Sequence, residues 1–232
     1  MVGRPARLGL LVLLTAAAVL LPGCGDAPGP APVVSDGRRL LDRSAEAMRG
    51  VPGAHFVLDT DKPVGGFSVR AAEGDLTRAG AARGRARVQE ARAVVELDFV
   101  LLDESVYVRE PAGGYRRLPS AFAAAVYDPT AILDPERGVA RVLGDVRDPR
   151  VEAEEEVAGV RARRVTGVVP RAAVTGLLPG VLADPAGWFW VADGSDRLVR
   201  LRFEVPGMDD GAATVTMTLS DFDRPLDIRP PS

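Results

Sequence analysis

Catalytic chemistry has little to work with in this chain. One cysteine, one histidine and one lysine occur in 232 residues. A nucleophile needs a base beside it, and a zinc site needs three or four N, S or O ligands at suitable spacing. Neither can be assembled from Cys24 and His55, so no catalytic residue, metal or cofactor is expected. His55 opens a predicted strand and reads as a strand-edge or capping histidine. No phosphate-binding glycine motif occurs; Gly65-Gly66 and Gly113-Gly114 read as loops. Aromatics make up only 5% of the chain, and Tyr107, Tyr115, Trp188 and Trp190 are too scattered to suggest a sugar platform. No Lys/Arg-rich run is present, so nothing in the charge pattern points to nucleic acid. A lone cysteine has no disulfide partner within the chain.

Acids are plentiful. Glu152, Glu154, Glu155 and Glu156 read as a solvated strand and turn, since like charges this close repel. A hydrolase built on carboxylates stays open at this stage. It requires two acids converging in a pocket with one pKa raised.

The N-terminus is distinctive. Arg4 and Arg7 precede an apolar run from Leu8 to Leu21, and Leu21-Pro22-Gly23-Cys24 follows. A positive start, an apolar stretch and a small residue before the cut mark a secretory signal. The run is short of the roughly 20 apolar residues that a membrane span needs. Cys24 sits where a lipoprotein signal places its acylated residue, with Leu at −3 and Gly at −1. Residues 1–23 are therefore expected to be a lipoprotein signal peptide and Cys24 the lipid anchor. The two or three acyl chains on such a cysteine hold firmly, because each buried CH₂ contributes about 0.8 kcal/mol. The product is expected to be exported and anchored to the outer face of the cell membrane. Two arginines and no acids leave with residues 1–23, so the net charge falls from −3 to −5.

Residues 24–35, rich in Pro, Gly and Ala, read as a tether. Residues 36–232 are long enough for one core and read as one domain.

Within that domain, residues 36–49 show helical spacing of Leu40, Leu41, Ala45 and Met48, closed by Gly50, Pro52 and Gly53. Strands are predicted over 55–60 and 67–72, with a turn at Glu73-Gly74-Asp75. A polar, Arg-rich strand is predicted over 82–91. Residues 94–102 alternate, with Val95, Leu97, Phe99 and Leu101 on one face; Asp103-Glu104 turns the chain, and Val106 and Val108 continue that face. The middle reads as helical: an Ala-rich stretch at 120–126, then Asp128-Pro129 and Asp134-Pro135, each pairing an N-cap type with Pro. The second pair predicts a helix with Val139, Val142 and Leu143 on one face. Pro170 to Ala183 reads as another helical segment. Hairpins are predicted around Ala158-Gly159 and Asp193-Gly194. In the last two strands Val199, Leu201, Phe203 and Val205 alternate with Arg and Glu, and Val215, Met217 and Leu219 alternate with Thr. The fold class is α+β: a long antiparallel meander with helices laid on one face.

Three stretches, LLDRSAEAMRGVPGAHFVLDT (40–60), YDPTAILDPERGVARVL (127–143) and LVRLRFEVPG…VTMTLSDFDRPLDI (198–228), resemble the LppX/LprA/LprF/LprG lipoproteins of mycobacteria and related actinobacteria. The similarity runs through nearly the whole mature chain in the same order. It implies a strongly bent antiparallel half-barrel with helices packed on its concave side, enclosing an apolar cavity. It also implies a role: binding multi-acylated lipids or lipoglycans and moving them across the cell envelope. Such binding needs no catalytic group, because apolar burial is worth on the order of 25 cal/mol per Å².

The residues expected to line the cavity are Val95, Leu97, Phe99, Leu101, Val199, Leu201, Phe203, Val215, Met217 and Leu219 from the sheet. Ile132, Leu133, Val139, Val142, Leu143, Leu177, Leu178 and Val181 are expected to join them from the helical segments. The same apolar faces could equally close into a solid core. The protein would then be an interaction module that docks to an envelope transporter or a cell-wall enzyme.

Overall fold

A computed structural model describes residues 36–121, 126–208 and 211–231. The expected signal peptide, Cys24 and the expected tether lie outside the described residues, as does most of the Ala-rich segment predicted at 120–126.

Helix α1 (Asp36–Arg49) buries Leu40, Leu41, Ala45 and Met48 along one stripe. Asp36 lies in its first turn and Arg49 in its last, the arrangement that complements the helix dipole. The chain then builds eleven strands: β1 (Gly53–Thr60), β2 (Val69–Thr77), β3 (Ala82–Glu90), β4 (Ala93–Leu102), β5 (Ser105–Arg109), β6 (Arg116–Pro119), β7 (Arg147–Val157), β8 (Val160–Val168), β9 (Ala186–Ala192), β10 (Leu198–Pro206) and β11 (Ala212–Ser220). They form one sheet in the order β6-β5-β4-β3-β2-β1-β11-β10-β9-β8-β7. Every neighbouring pair is antiparallel. The sheet is curved and unclosed, with β6 and β7 as its free edges. The first and last strands in sequence, β1 and β11, pair at its centre.

Between β6 and β7 the chain passes from one edge of the sheet to the other. This crossing holds a 3-10 turn (Pro129–Leu133) and helix α2 (Val139–Asp145). Asp128 caps the 3-10 turn, its Oδ1 accepting from the Thr130 N–H (3.0 Å) and hydroxyl (2.6 Å). The second Asp-Pro pair does not cap α2 directly. Asp134 accepts from the N–H groups of Glu136 and Arg137, and Gly138 is the N-cap. The segment after β8 is helical only over α3 (Arg171–Val174); Gly176, Pro179 and Gly180 break the longer helix that the apolar spacing suggests. Arg38 of α1 donates to the carbonyls of Leu143 (2.7 Å) and Val146 (2.9 Å), tying the two main helices together at the end of α2.

The turn expected at Glu73-Gly74-Asp75 does not exist: β2 runs straight through it. Gly74 stands opposite Gly84 of β3. A Cβ on Gly74 would lie 2.1 Å from the Arg83 carbonyl oxygen. The glycines serve a close approach of two strands rather than a turn. Strand β6, short and arginine-bearing, carries no alternating apolar pattern and was not expected.

One face of the sheet and the helices share a single apolar core. On the opposite face a smaller cluster joins Val157, Ala162, Trp190, Ala192 and Val199. Val199 turns away from Leu201 and Phe203 because a bulge between Leu198 and Arg200 shifts the alternation by one residue. Beside this cluster Glu155 accepts from Trp190 Nε1 (2.7 Å) and pairs with Arg164, which also holds Glu152 (3.1 Å). The glutamate run is thus partly pinned. The irregularity between Val151 and Ala153 lets Glu152 and Glu155 reach the same arginine.

Candidate binding cavity

The two halves of the inner face differ. Over β7 to β11 the helices fill the concavity. Over β1 to β6 the inward positions of β2 and β3 are small: Ala72 and Gly74 on one strand, Ala82, Gly84 and Ala86 on the other. The missing side-chain volume at these positions leaves an apolar cavity of ≈ 290 Å³.

The cavity's walls follow from strand alternation. Phe56 comes from β1, Val69 and Ala72 from β2, and Ala86 and Val88 from β3. Strand β4 supplies Val95, Leu97, Phe99 and Leu101, β5 supplies Val106 and Val108, and β6 supplies Leu118. Val126, Tyr127 and Pro129 of the crossing segment roof it. Phe99 and Leu101 are buried, while Val95 and Leu97, nearer the start of β4, are half-buried. The cavity therefore opens toward the β3–β4 and β5–β6 connections. Its polar rim is Glu90, Glu110 and Arg116, and Arg116 Nη2 donates to Glu110 Oε1 at 3.0 Å.

Tyr127 is buried, and its ring meets Phe67 edge-on, with centroids 5.5 Å apart. Its hydroxyl has no partner among the described residues. Burial, helped by the neighbouring charge of Asp128, pushes the phenol well above its ordinary pKa. The roof is thus neutral as well as apolar.

Of the sequence-chosen residues, Val95, Leu97, Phe99 and Leu101 come together along one wall. Ile132, Leu133, Val139, Val142, Leu143, Leu177, Leu178 and Val181 are buried in the shared core and are not among the residues lining this cavity. Leu201, Phe203, Val215, Met217 and Leu219 share that core, each 2% exposed or less. Val199 is on the far face of the sheet. Periodicity identified the apolar faces; it carried no information on which of them a helix would cover. The small inward residues of β3 were overlooked because its outward arginines dominate the composition. Their signal was the alternation Ala82, Gly84, Ala86, Val88.

His55 lies on the central strand β1 and not at an edge. Its Nδ1 is 3.1 Å from Asp75 Oδ1. Asp75 also accepts from Arg83 (3.2 Å) and Arg224 (2.6 Å), fastening the C-terminal segment to β2 and β3. Burial would raise the Asp75 pKa. The hydrogen bonds from His55 and Arg83 and the charge of Arg224 outweigh it and hold the carboxyl below its usual range. Among the described residues no group of His, Cys, Asp and Glu is placed to hold a metal, and no helix is long and apolar enough to cross a membrane.

A curved, unclosed antiparallel sheet, half filled by helices and half hollow and apolar, defines a cavity-bearing α+β class of protein. The chain belongs to the LppX_LprAFG lipoprotein family, whose model matches residues 36–228. A curated relative, the lipoarabinomannan carrier protein LprG of Mycolicibacterium hassiacum, is 36% identical over 230 residues, covering 96% of each chain. Among solved structures, LprF from Mycobacterium bovis superposes with a TM-score of 0.74 at 24% identity, covering 84% of this chain and 97% of its own. LppX from Mycobacterium tuberculosis gives a TM-score of 0.63 at 21% identity, covering 84% and 100%. These two structures share the fold.

Proposed function

We propose that this protein is a membrane-anchored, non-enzymatic carrier that takes the acyl part of a lipid or lipoglycan into the cavity and moves it across the cell envelope. The observation that carries this reading is the cavity itself, an apolar void with a polar rim, walled by half of the sheet. An acyl chain leaving water for such walls gains on the order of 25 cal/mol per Å², and the chemistry asks for nothing more than shape and apolarity. The curated relative named as a lipoarabinomannan carrier supports the same class of ligand.

The acids support the non-enzymatic reading. Asp75, Asp98, Asp134, Asp184 and Asp227 sit below the ordinary carboxylate value, because, against the cost of burial, guanidinium and N–H donors favour the charged form. A general acid needs the opposite displacement. The anchor is Cys24 and the location the outer face of the cell membrane. Docking to an envelope transporter is part of the proposal, since a carrier must be loaded and unloaded.

The test is native mass spectrometry of the full chain, expressed in an actinobacterial host and extracted in mild detergent. Retention of a mass matching an acylated lipid is the expected result. A protein that stays empty after incubation with envelope lipid extract would replace the carrier with the docking module.

A further inference from the structure

Register fixes which loops share an end of the sheet with the cavity mouth. The mouth faces the β3–β4 and β5–β6 connections. The pairings across β2, β1, β11, β10, β9 and β8 carry that end to the connections that follow β1, β8 and β10. There the three are stitched together. Val64 bridges Gly207, and the Met208 N–H donates to the Pro63 carbonyl at 3.0 Å. Gly66 and Gly180 approach so closely that a Cβ on either would lie within 2.8 Å of the other's backbone.

This ledge presents Leu182, 80% exposed, and Met208, 67% exposed. With Val94 at the start of β4, 53% exposed, they are the three most exposed large apolar side chains among the described residues. All three lie at the mouth end. Apolar side chains gathered in this way mark a surface that meets a partner.

The chain also enters the domain at this end. A Cβ on Gly37, in the first turn of α1, would lie 2.6 Å from the Pro149 carbonyl oxygen. Arg38 reaches the carbonyls of Leu143 and Val146. The start of α1 thus sits against the start of β7, which pairs with the end of β8. Residues 24–35 span at most roughly 40 Å when fully extended, and the longer strands make the sheet roughly 30 Å long. An anchor at Cys24 therefore holds the mouth end nearest the bilayer. Contact by the far end would require the tether to be drawn out almost fully alongside the sheet.

We infer that the ledge of Leu182 and Met208 rests in the headgroup layer of the membrane that holds the anchor, and sets the cavity mouth against it. An acyl chain then passes between bilayer and cavity without crossing water. Asp209 and Asp210 follow Met208 in the sequence, and Asp184 stands two residues after Leu182. Burying these charges in hydrocarbon would be costly, so the contact is interfacial and shallow. The inference rests on the proposed anchor and carrier, and the experiment separates the three.

The full acylated chain is reconstituted in phosphatidylcholine vesicles. Acylation consumes the thiol of Cys24, so an introduced cysteine is the only one free to take a fluorescent label. Leu182→Cys and Met208→Cys report on the ledge. Ala79→Cys, in the exposed β2–β3 turn at the opposite end, is the control. Lipids carrying a nitroxide high on the acyl chain should quench the two ledge labels at least threefold more than the control, and more than a nitroxide near the chain end does. Ledge labels quenched no more than the control overturn the contact. Ledge labels shielded from water but untouched by nitroxide lipid assign the ledge to a second copy or another protein, and overturn it equally. A parent chain that takes the label has a free Cys24, which overturns the anchor and the contact together.

A second readout tests the consequence. The double variant Leu182→Ser, Met208→Ser should extract a fluorescent diacylated lipid from donor vesicles about tenfold more slowly than wild type, with loading from detergent micelles unchanged. Equal extraction rates would overturn the role of the ledge in transfer. A wild-type chain that extracts no lipid overturns the carrier, while the quenching still decides the contact.

Discussion

Gly74 of β2 and Gly84 of β3 face each other across the sheet, and neither has room for a side chain. A Cβ on Gly84 would lie 2.0 Å from the Glu73 carbonyl oxygen, and one on Gly74 would lie 2.1 Å from that of Arg83. Both belong to the face that also presents Ala72 and Ala86 to the cavity. The same smallness lets the strands come together and leaves the void open.

Gly74→Ala should therefore destabilise the fold by more than about 2 kcal/mol, read as a shift in urea midpoint at unchanged slope, because backbone atoms cannot move aside cheaply. Gly144 is the control. It lies in α2 with open space where a Cβ would sit, so Gly144→Ala should stabilise by about 0.5–1 kcal/mol through a less flexible unfolded chain and better helix propensity. Equal effects at the two sites would contradict the close approach.

The Asp75 cluster predicts acid sensitivity. The carboxyl's folded pKa lies below its unfolded value near 3.8. Its contribution is thus complete above that value and is lost as pH falls through the lower, folded one. Asp75→Asn should cost about 1–3 kcal/mol at neutral pH, since Arg83 and Arg224 lose a charged acceptor. It should also flatten the fall in stability below about pH 4, where the wild-type carboxyl is being protonated. Thermal unfolding across pH 2.5–7 reads both effects; a variant curve parallel to the wild type at low pH would assign the acid sensitivity elsewhere.

Leu97 and Leu201 are both inward residues, yet a tryptophan at each should do different things. Leu97 is half-buried on the cavity wall, with space in front of it. Leu97→Trp should cut lipid retention severalfold while moving stability by under about 1 kcal/mol. Leu201 is 2% exposed in the filled half. Leu201→Trp should overpack the core and cost about 1–3 kcal/mol. Retention unchanged in a well-folded Leu97→Trp variant would mean that lipid is held elsewhere.

Cys24→Ala tests the anchor. Labelling with a palmitate analogue should disappear and the signal peptide should remain uncleaved, seen as a larger species on a gel. Persistent labelling would place the acyl group on another residue.

Much of the architecture was legible because strand alternation and helix spacing are local. The stripe of α1, the alternation of β4, β10 and β11 and the turns at Ala158-Gly159 and Asp193-Gly194 all follow from nearest neighbours in the chain. The errors came where a residue's role is set across the sheet. Gly74 looks like a turn until Gly84 is found opposite it. Val199 belongs to the inner face until the bulge beside it is counted. Glu155 looks solvated until β8 and β9 bring Arg164 and Trp190 to it.

The cavity divides in the same way. Its wall of Val95, Leu97, Phe99 and Leu101 could be read directly from period two. Its location could not. Sequence alone determined an α+β chain of two-faced strands with a single cysteine and a single histidine, because these depend on composition and short-range pattern. Tertiary structure decided which half of the sheet the helices cover, and hence where packing stops and a cavity begins. That choice depends on the edge-to-edge crossing between β6 and β7 and on small residues meeting across strands, distances that no local pattern encodes.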